Sequence, residues 1–388
     1  MPANPKERTG ILLLAGTDTL QLFWKAPIAG RLLEQVKAAK LAQAEDPELP
    51  PVVLQVADHD LEVKRHGTRA GPLLLESDAV SVKLNPNPPK GLPSIMIELS
   101  AWWLWQVGEE SAAFDAQRIA EDFASESATS EAMIPHVTRL DLCCDFQGWL
   151  PSPEEVTAFT SRSRVRSLYW NGKRFTGADW GKGEMRARLY DKTEEIIAGG
   201  NIKRWFFKLW AKSEGFNADL PVWRLEVQIR REGLTALGET HAARLDSYRD
   251  VRHYRREIWR YFARHWLIER AGRTKHTRDL RTPRWDHLAE HAFKAGDVPC
   301  PEIFRHVRED QRGKVSAQLA GWIARAHAGN LFARGRGEHL DDSVWRSYLD
   351  ARAHAQAHGE SIEEKATKLL ARWTAQEEAG QRARGQKA

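Results

Sequence analysis

Cysteine is scarce in this chain, with three in 388 residues, at positions 143, 144 and 300. No CxxC spacing occurs, and adjacent cysteines on one strand point to opposite faces. Neither a disulfide framework nor a zinc knuckle is supported, which fits a reducing cytoplasm. Long apolar runs are also lacking: nothing approaches the ~20 uninterrupted apolar residues of a membrane span, and no membrane partner is expected. The run Ile11–Ala15 is too short for a secretory signal and reads as a first strand. Charge of one sign is modest, at net +5, and is weak evidence of any partner by itself. No fixed-period repeat occurs. Low complexity is confined to the tail "QEEAGQRARGQKA", which is expected to be disordered.

Tryptophan is abundant. The sixteen tryptophans sit among arginines, as in "RWFFKLW" (204–210) and "RREIWRYFARHW" (255–266). Cations and rings interleaved in this way suit phosphates and unstacked bases. The plainer account is a Trp-rich core with arginine stems packed over it, and it is preferred for most of these positions.

Residues 10–100 alternate short apolar runs with turn signals, as in "PVVLQVAD", "DLEVKRHG" and "VSVKLNPNPPKG", which predicts strands joined by hairpins. A helix is expected over 109–126, then a strand over 136–146. A helix over 153–163 follows, with Ser152 as N-cap, Pro153 at N1 and Glu155 at N3. Strands are expected near 167–170, 174–179, 185–191 and 222–230, with a helix beginning near 192 that covers the sheet. From Tyr248 onward the period is helical almost throughout. The expected organisation is a domain over 1–247, with core motifs in 136–232, and a helical accessory region over 248–388 whose basic segment "RYFARHWLIERAGRTKHTRDLR" binds duplex DNA.

The strand "HVTRLDLCCDF" (136–146) raises the functional question. Period-2 alternation sends Arg139, Asp141, Cys143 and Asp145 to one face and Leu140, Leu142, Cys144 and Phe146 to the other. In "MRARLYDK" the residues Arg186, Arg188, Tyr190 and Lys192 share a face, and in "WRLEVQIRR" so do Arg224, Glu226, Gln228 and Arg230. Any antiparallel sheet with one wet face alternates like this. The chemical assortment is more particular. Clustered Asp141, Asp145 and Glu226 suit Mg²⁺ or Mn²⁺. Arg139, Arg186, Arg188 and Arg224 suit DNA phosphates. Tyr190 offers an oxygen nucleophile with Lys192 as a nearby cation. Together these describe phosphodiester transesterification, in which a phosphotyrosine conserves the bond energy for rejoining. Of six tyrosines, Tyr169 sits beside the "WNGK" turn, away from any expected carboxylate strand. Tyr248, Tyr254, Tyr261 and Tyr348 fall in the helical region, where packing is the default.

The motif order "RLDLCCDF", "RLYDKTEE", "RLEVQIRR", preceded by "SIMIELSAWWLWQVG", resembles the Rep_trans replication initiation factor family over roughly 15–270. That family includes rolling-circle plasmid and phage initiators and relaxases of integrative elements. The resemblance implies an α+β fold with an HUH-like antiparallel sheet covered by helices on one face. It also implies metal-dependent nicking and closing of origin DNA through a 5′-phosphotyrosine. Tyr190 then matches the nucleophile, Asp141 and Asp145 the aspartate motif, Glu226 the glutamate of "RxE", and Glu195 the acidic residue after "YDK". No HxH pair is present, so a carboxylate site replaces the histidine site of other HUH enzymes. Expected partners are single-stranded or cruciform origin DNA, a host helicase and a second copy of the chain. A non-catalytic DNA-binding protein and a hydrolytic metal nuclease are the competing readings.

Overall fold

A computed structural model describes residues 10–293, except 47, 69–70, 201, 239–244 and 271–280. The described part is α+β, built on one antiparallel sheet of eleven strands. The strands are β1 (Ile11–Trp24), β2 (Val53–Val56), β3 (His59–Lys64), β4 (Leu73–Glu76), β5 (Val80–Leu84), β6 (Ile95–Leu99), β7 (His136–Gln147), β9 (Arg166–Asn171), β10 (Arg174–Lys182), β11 (Met185–Asp191) and β12 (Trp223–Arg230). A short β8 (Thr160–Ser161) pairs instead with β13 (Leu267–Ile268). The order β2-β3-β4-β5-β6-β1-β7-β12-β11-β10-β9 brings the long β1 and β7 to the middle. Hairpins join most neighbours, and the "NPNPPKG" turn links β5 to β6 as expected.

The alternation read from sequence is realised as a buried apolar face. Leu140, Leu142 and Cys144 of β7, Leu225, Val227 and Ile229 of β12, and Ala187 and Leu189 of β11 lie in one continuous core. Helix α3 (Glu109–Phe123), which follows the short α2 (Ala101–Val107), contributes Ala112, Ala116, Ile119 and Phe123 to that core. Eight of the thirteen described tryptophans are buried, and Trp24, Trp180, Trp210, Trp259 and Trp285 fully so. No described helix is long and apolar enough to cross a membrane.

Two local expectations are corrected. Residues 31–45, read as part of a strand-rich region, form helix α1 (Arg31–Glu45), whose Leu33, Val36 and Ala39 recur at helical spacing and are buried. Its N-cap is Gly30, which supplies no side-chain cap, so the usual start signal is missing. Helix α4 (Pro153–Thr157) has the expected capping box but ends well before residue 163. There Thr160 and Ser161 pair with β13 across more than a hundred residues, a non-local bond that local pattern does not reveal.

Helices also cover more than one face. A second apolar cluster of Leu13, Ile196, Phe206, Trp210 and Val222 lies over part of the polar face. Its Ile196 comes from α5 (Lys192–Ala198) and its Phe206 and Trp210 from α6 (Trp205–Trp210), while α7 (Arg231–Gly238) adds Leu234 and Leu237 to the main core. Beyond residue 247, α8 (Tyr248–His253), α9 (Arg255–Tyr261), the π-helical turn Phe262–Trp266 and α10 (Pro283–His291) pack into the main core through Val251, Trp259, Phe262 and Trp285. Arg260 and Arg264 of the proposed duplex-binding segment both pair with Glu290. Residues 271–280 of that segment, and 294–388 of the expected helical region with its tail, lie outside the described residues.

Candidate functional site

Register brings the three polar strand faces together. Across β7, β12 and β11, Asp145 faces Arg224 and Arg224 faces Tyr190, while Cys143 faces Glu226 and Glu226 faces Arg188. One row further, Asp141 faces Gln228 and Gln228 faces Arg186. Tyr190, Asp141 and Glu226 therefore share one face of one sheet, as period-2 parity requires, since a one-residue slip would invert each set.

The centre of this face is a phenol held by a carboxylate. The Tyr190 hydroxyl donates to Glu226 Oε2 at 3.0 Å, and Glu226 Oε1 accepts from Arg188 Nη1 at 2.9 Å. Lys192 Nζ donates to the same Tyr190 hydroxyl at 3.5 Å and forms an ion pair with Glu195 at 2.7 Å. Burial, with the Glu226 charge adding to it, pushes the Tyr190 pKa well above its ordinary value. Burial first, and then the Arg224 charge, lowers the pKa of Lys192. At neutral pH Tyr190 is thus a protonated phenol with a base already in contact. Its neighbour Gly177 on β10 is required by crowding, because an added Cβ would lie 2.8 Å from Tyr190 Cβ and 2.7 Å from Leu189 O.

Beside this centre, α6 seals part of the face. Arg224 is fully buried and grips Asp145 with two donors, Nε to Oδ1 at 2.6 Å and Nη2 to Oδ2 at 2.9 Å. Its Nη1 reaches Asp18, and its guanidinium lies 4.5 Å from the Phe206 ring centroid. Trp210 Nε1 donates to Asp145 Oδ2 at 2.8 Å. Arg224 is thereby consumed by carboxylates rather than left for phosphate. Asp141 is clasped by the Nε and Nη2 of Arg139, with Nε to Oδ1 at 2.9 Å. Burial pushes its pKa up to about 6 even though Arg139 opposes the shift.

These contacts decide how the three expected metal ligands are disposed. Both oxygens of the wholly buried Asp145 are occupied by Arg224 and Trp210. No group of three His, Cys, Asp or Glu side chains among the described residues is placed to hold a metal ion. Asp141, Asp145 and Glu226 as arranged do not fit one shared divalent cation. They belong to three separate ion pairs, with Arg139, Arg224 and Arg188.

Several participants escaped the sequence reading. Asp18 lies at a register shift of β1, between Thr17 opposite Leu142 and Thr19 opposite Asp141, so simple parity does not assign it to a face. Phe206 and Trp210 looked like general aromatic content. Tyr169 does not stand away from carboxylates: its hydroxyl donates to Asp179 Oδ2 at 2.9 Å. Asp179 is carried by β10, the strand between β9 and β11, and the only signal for it was its place within an expected strand. No protein-family model and no curated protein matches this sequence.

Proposed function

We propose that this protein is a nicking-closing DNA strand transferase of the rolling-circle type, with Tyr190 as nucleophile. The central antiparallel strands serve as its HUH-like sheet and origin DNA in single-stranded form is its substrate. The observation that carries the reading is the Tyr190 hydroxyl, 3.0 Å from Glu226 and 3.5 Å from Lys192 on a polar sheet face. A nucleophile in contact with a base, beside a cation, is the arrangement that activated side-chain oxygens need. As Tyr190 Oη bonds to phosphorus, Glu226 takes the phenolic proton. The bond to the 3′ oxygen breaks, and that oxygen leaves as a hydroxyl with a proton from solvent. The 5′ phosphate stays on the tyrosine until a free 3′-OH attacks it and returns the phenol. Lys192 stabilises the phenolate character of Tyr190 during both steps, and Arg188 and Arg186 border the position of the phosphate.

One observation favours a non-catalytic single-strand-binding protein instead: burial and Glu226 raise the Tyr190 pKa rather than lower it. The two readings separate by incubating the full chain with 3′-labelled random-sequence single-stranded oligonucleotides and Mn²⁺ or Mg²⁺. A label that stays on the protein through denaturing electrophoresis is expected for the wild type and absent for Tyr190→Phe. An undiminished band from Tyr190→Phe assigns the wrong nucleophile, and wild-type binding without any adduct favours the non-catalytic reading.

A further inference from the structure

The polar face continues past Tyr190 into a cavity of about 350 Å³. Its lining includes Tyr169, Asp179, Arg186, Gln228, Lys182 and Arg230. That volume is near the lower end of ligand pockets, ~300–1,000 Å³, and suits one base with part of its sugar rather than a longer segment. Tyr169 and Tyr190 both face Gly177 from opposite sides of β10. Their backbones are therefore about 10 Å apart, two strand spacings.

The polar groups of the cavity are only partly used by the protein. Asp179 Oδ2 receives Tyr169 and both the Nε and Nη2 of Arg186, while Oδ1 accepts no hydrogen bond among the described residues. Gln228 is 8% exposed, and its amide has no hydrogen-bond partner among the described residues. Its amide oxygen and nitrogen are not sealed off from solvent, so both stay accessible to a ligand in the cavity. Tyr169, anchored through its hydroxyl, is 46% exposed and offers its ring as a stacking platform. Lys182 and Arg230 are exposed and make no ion pair among the described residues.

We propose that this cavity binds one unpaired guanine of the DNA strand adjacent to the nucleotide attacked by Tyr190. Guanine places two donors, N1–H and N2–H₂, beside the acceptor O6 on one edge. Asp179 Oδ1 and Gln228 Oε1 accept from the donors, Gln228 Nε2 donates to O6, the Tyr169 ring stacks on the base, and Lys182 and Arg230 meet the flanking phosphates. Adenine lacks the donor pair beside an acceptor, and pyrimidines cover less of the ring. The assignment rests on the single-strand reading above and supplies its sequence preference.

The test is fluorescence anisotropy of the full chain carrying Tyr190→Phe, so that no cleavage intervenes. The probes are labelled oligo-dT and the same strand with one central dG, dA or dC. The dG strand is expected to bind at least tenfold tighter than oligo-dT. Gln228→Leu is expected to remove that preference while leaving oligo-dT affinity and the melting temperature unchanged, since Gln228 makes no protein hydrogen bond to lose. Asp179→Asn provides a second variant, with the acceptor replaced in part by a donor. Equal affinity for all four strands, or a preference for dA or dC, overturns the guanine pocket while leaving single-strand binding intact. No binding of any strand overturns the function reading itself, and the pocket with it. Displacement of the dG strand by an equal concentration of dGMP assigns the site to free nucleotides and overturns its assignment to the strand.

Discussion

The polar face of the sheet has two halves on either side of Tyr190, and they use the same residue types for opposite ends. On one side, Asp145, Arg224 and Asp18 are sealed beneath Phe206 and Trp210, and their charges are spent on one another. On the other, Asp179, Gln228, Lys182 and Arg230 surround an open cavity with donors and acceptors to spare. The difference lies in what covers the strands rather than in the strands themselves. A helix of six residues, rich in aromatics, excludes water from one half, and the charges there must then pair. Tyr190 and Glu226 sit at the border, the phenol hydroxyl already in contact with the carboxylate.

Breaking the sealed half is expected to have the largest effect. Arg224→Leu leaves the carboxylates of Asp145 and Asp18 buried without their cation, and is expected to cost roughly 3–5 kcal/mol of stability by urea unfolding. Replacing Arg224 and Asp145 together by apolar residues is expected to recover much of that loss, because the desolvation penalty goes with the charges. A small effect of Arg224→Leu alone would mean that this half is wetter than its geometry indicates. At the border, Glu226→Gln keeps size and hydrogen bonding but removes the base. It is expected to slow adduct formation by on the order of 10²-fold, with little change in single-strand affinity. An equal loss of binding would give Glu226 a structural part only.

Trp210→Phe keeps the aromatic cap but deprives Asp145 of one donor, and is expected to destabilise by about 1.5–3 kcal/mol, as for a hydrogen bond to a charged group. Its effect on oligonucleotide binding should be small, since Trp210 is wholly buried. In the open half the smallest change is expected: Gln228→Leu should stay within about 0.5 kcal/mol of wild type in unfolding free energy, because no intrachain bond is broken. A loss comparable to that of Arg224→Leu would show that Gln228 supports the fold, and the contrast between the halves would disappear.

Parts of this picture were legible before any coordinates. That β7, β11 and β12 are strands, and which residues of each share a face, follow from alternation, because a half-buried strand has only two faces. The cap of α4 was readable from Ser152, Pro153 and Glu155, since such a box depends on residues three apart. Helix α1 was missed because its start at Gly30 carries no side-chain cap. The end of α4 was misjudged because β13, far along the chain, takes Thr160 and Ser161.

What the chain order determined by itself is therefore local: where the central strands run, and which residues of each strand share a face. The partners of those side chains were decided only by the tertiary structure. Asp145 read as a metal ligand beside Asp141 until Arg224, seventy-nine residues away, and Trp210, sixty-five away, closed on its two oxygens. Asp18 entered the same cluster through a register shift that alternation does not express. Periodicity is a property of the backbone and reports which face a side chain takes. Charge pairing and exclusion of water depend on what arrives from distant parts of the chain to cover that face.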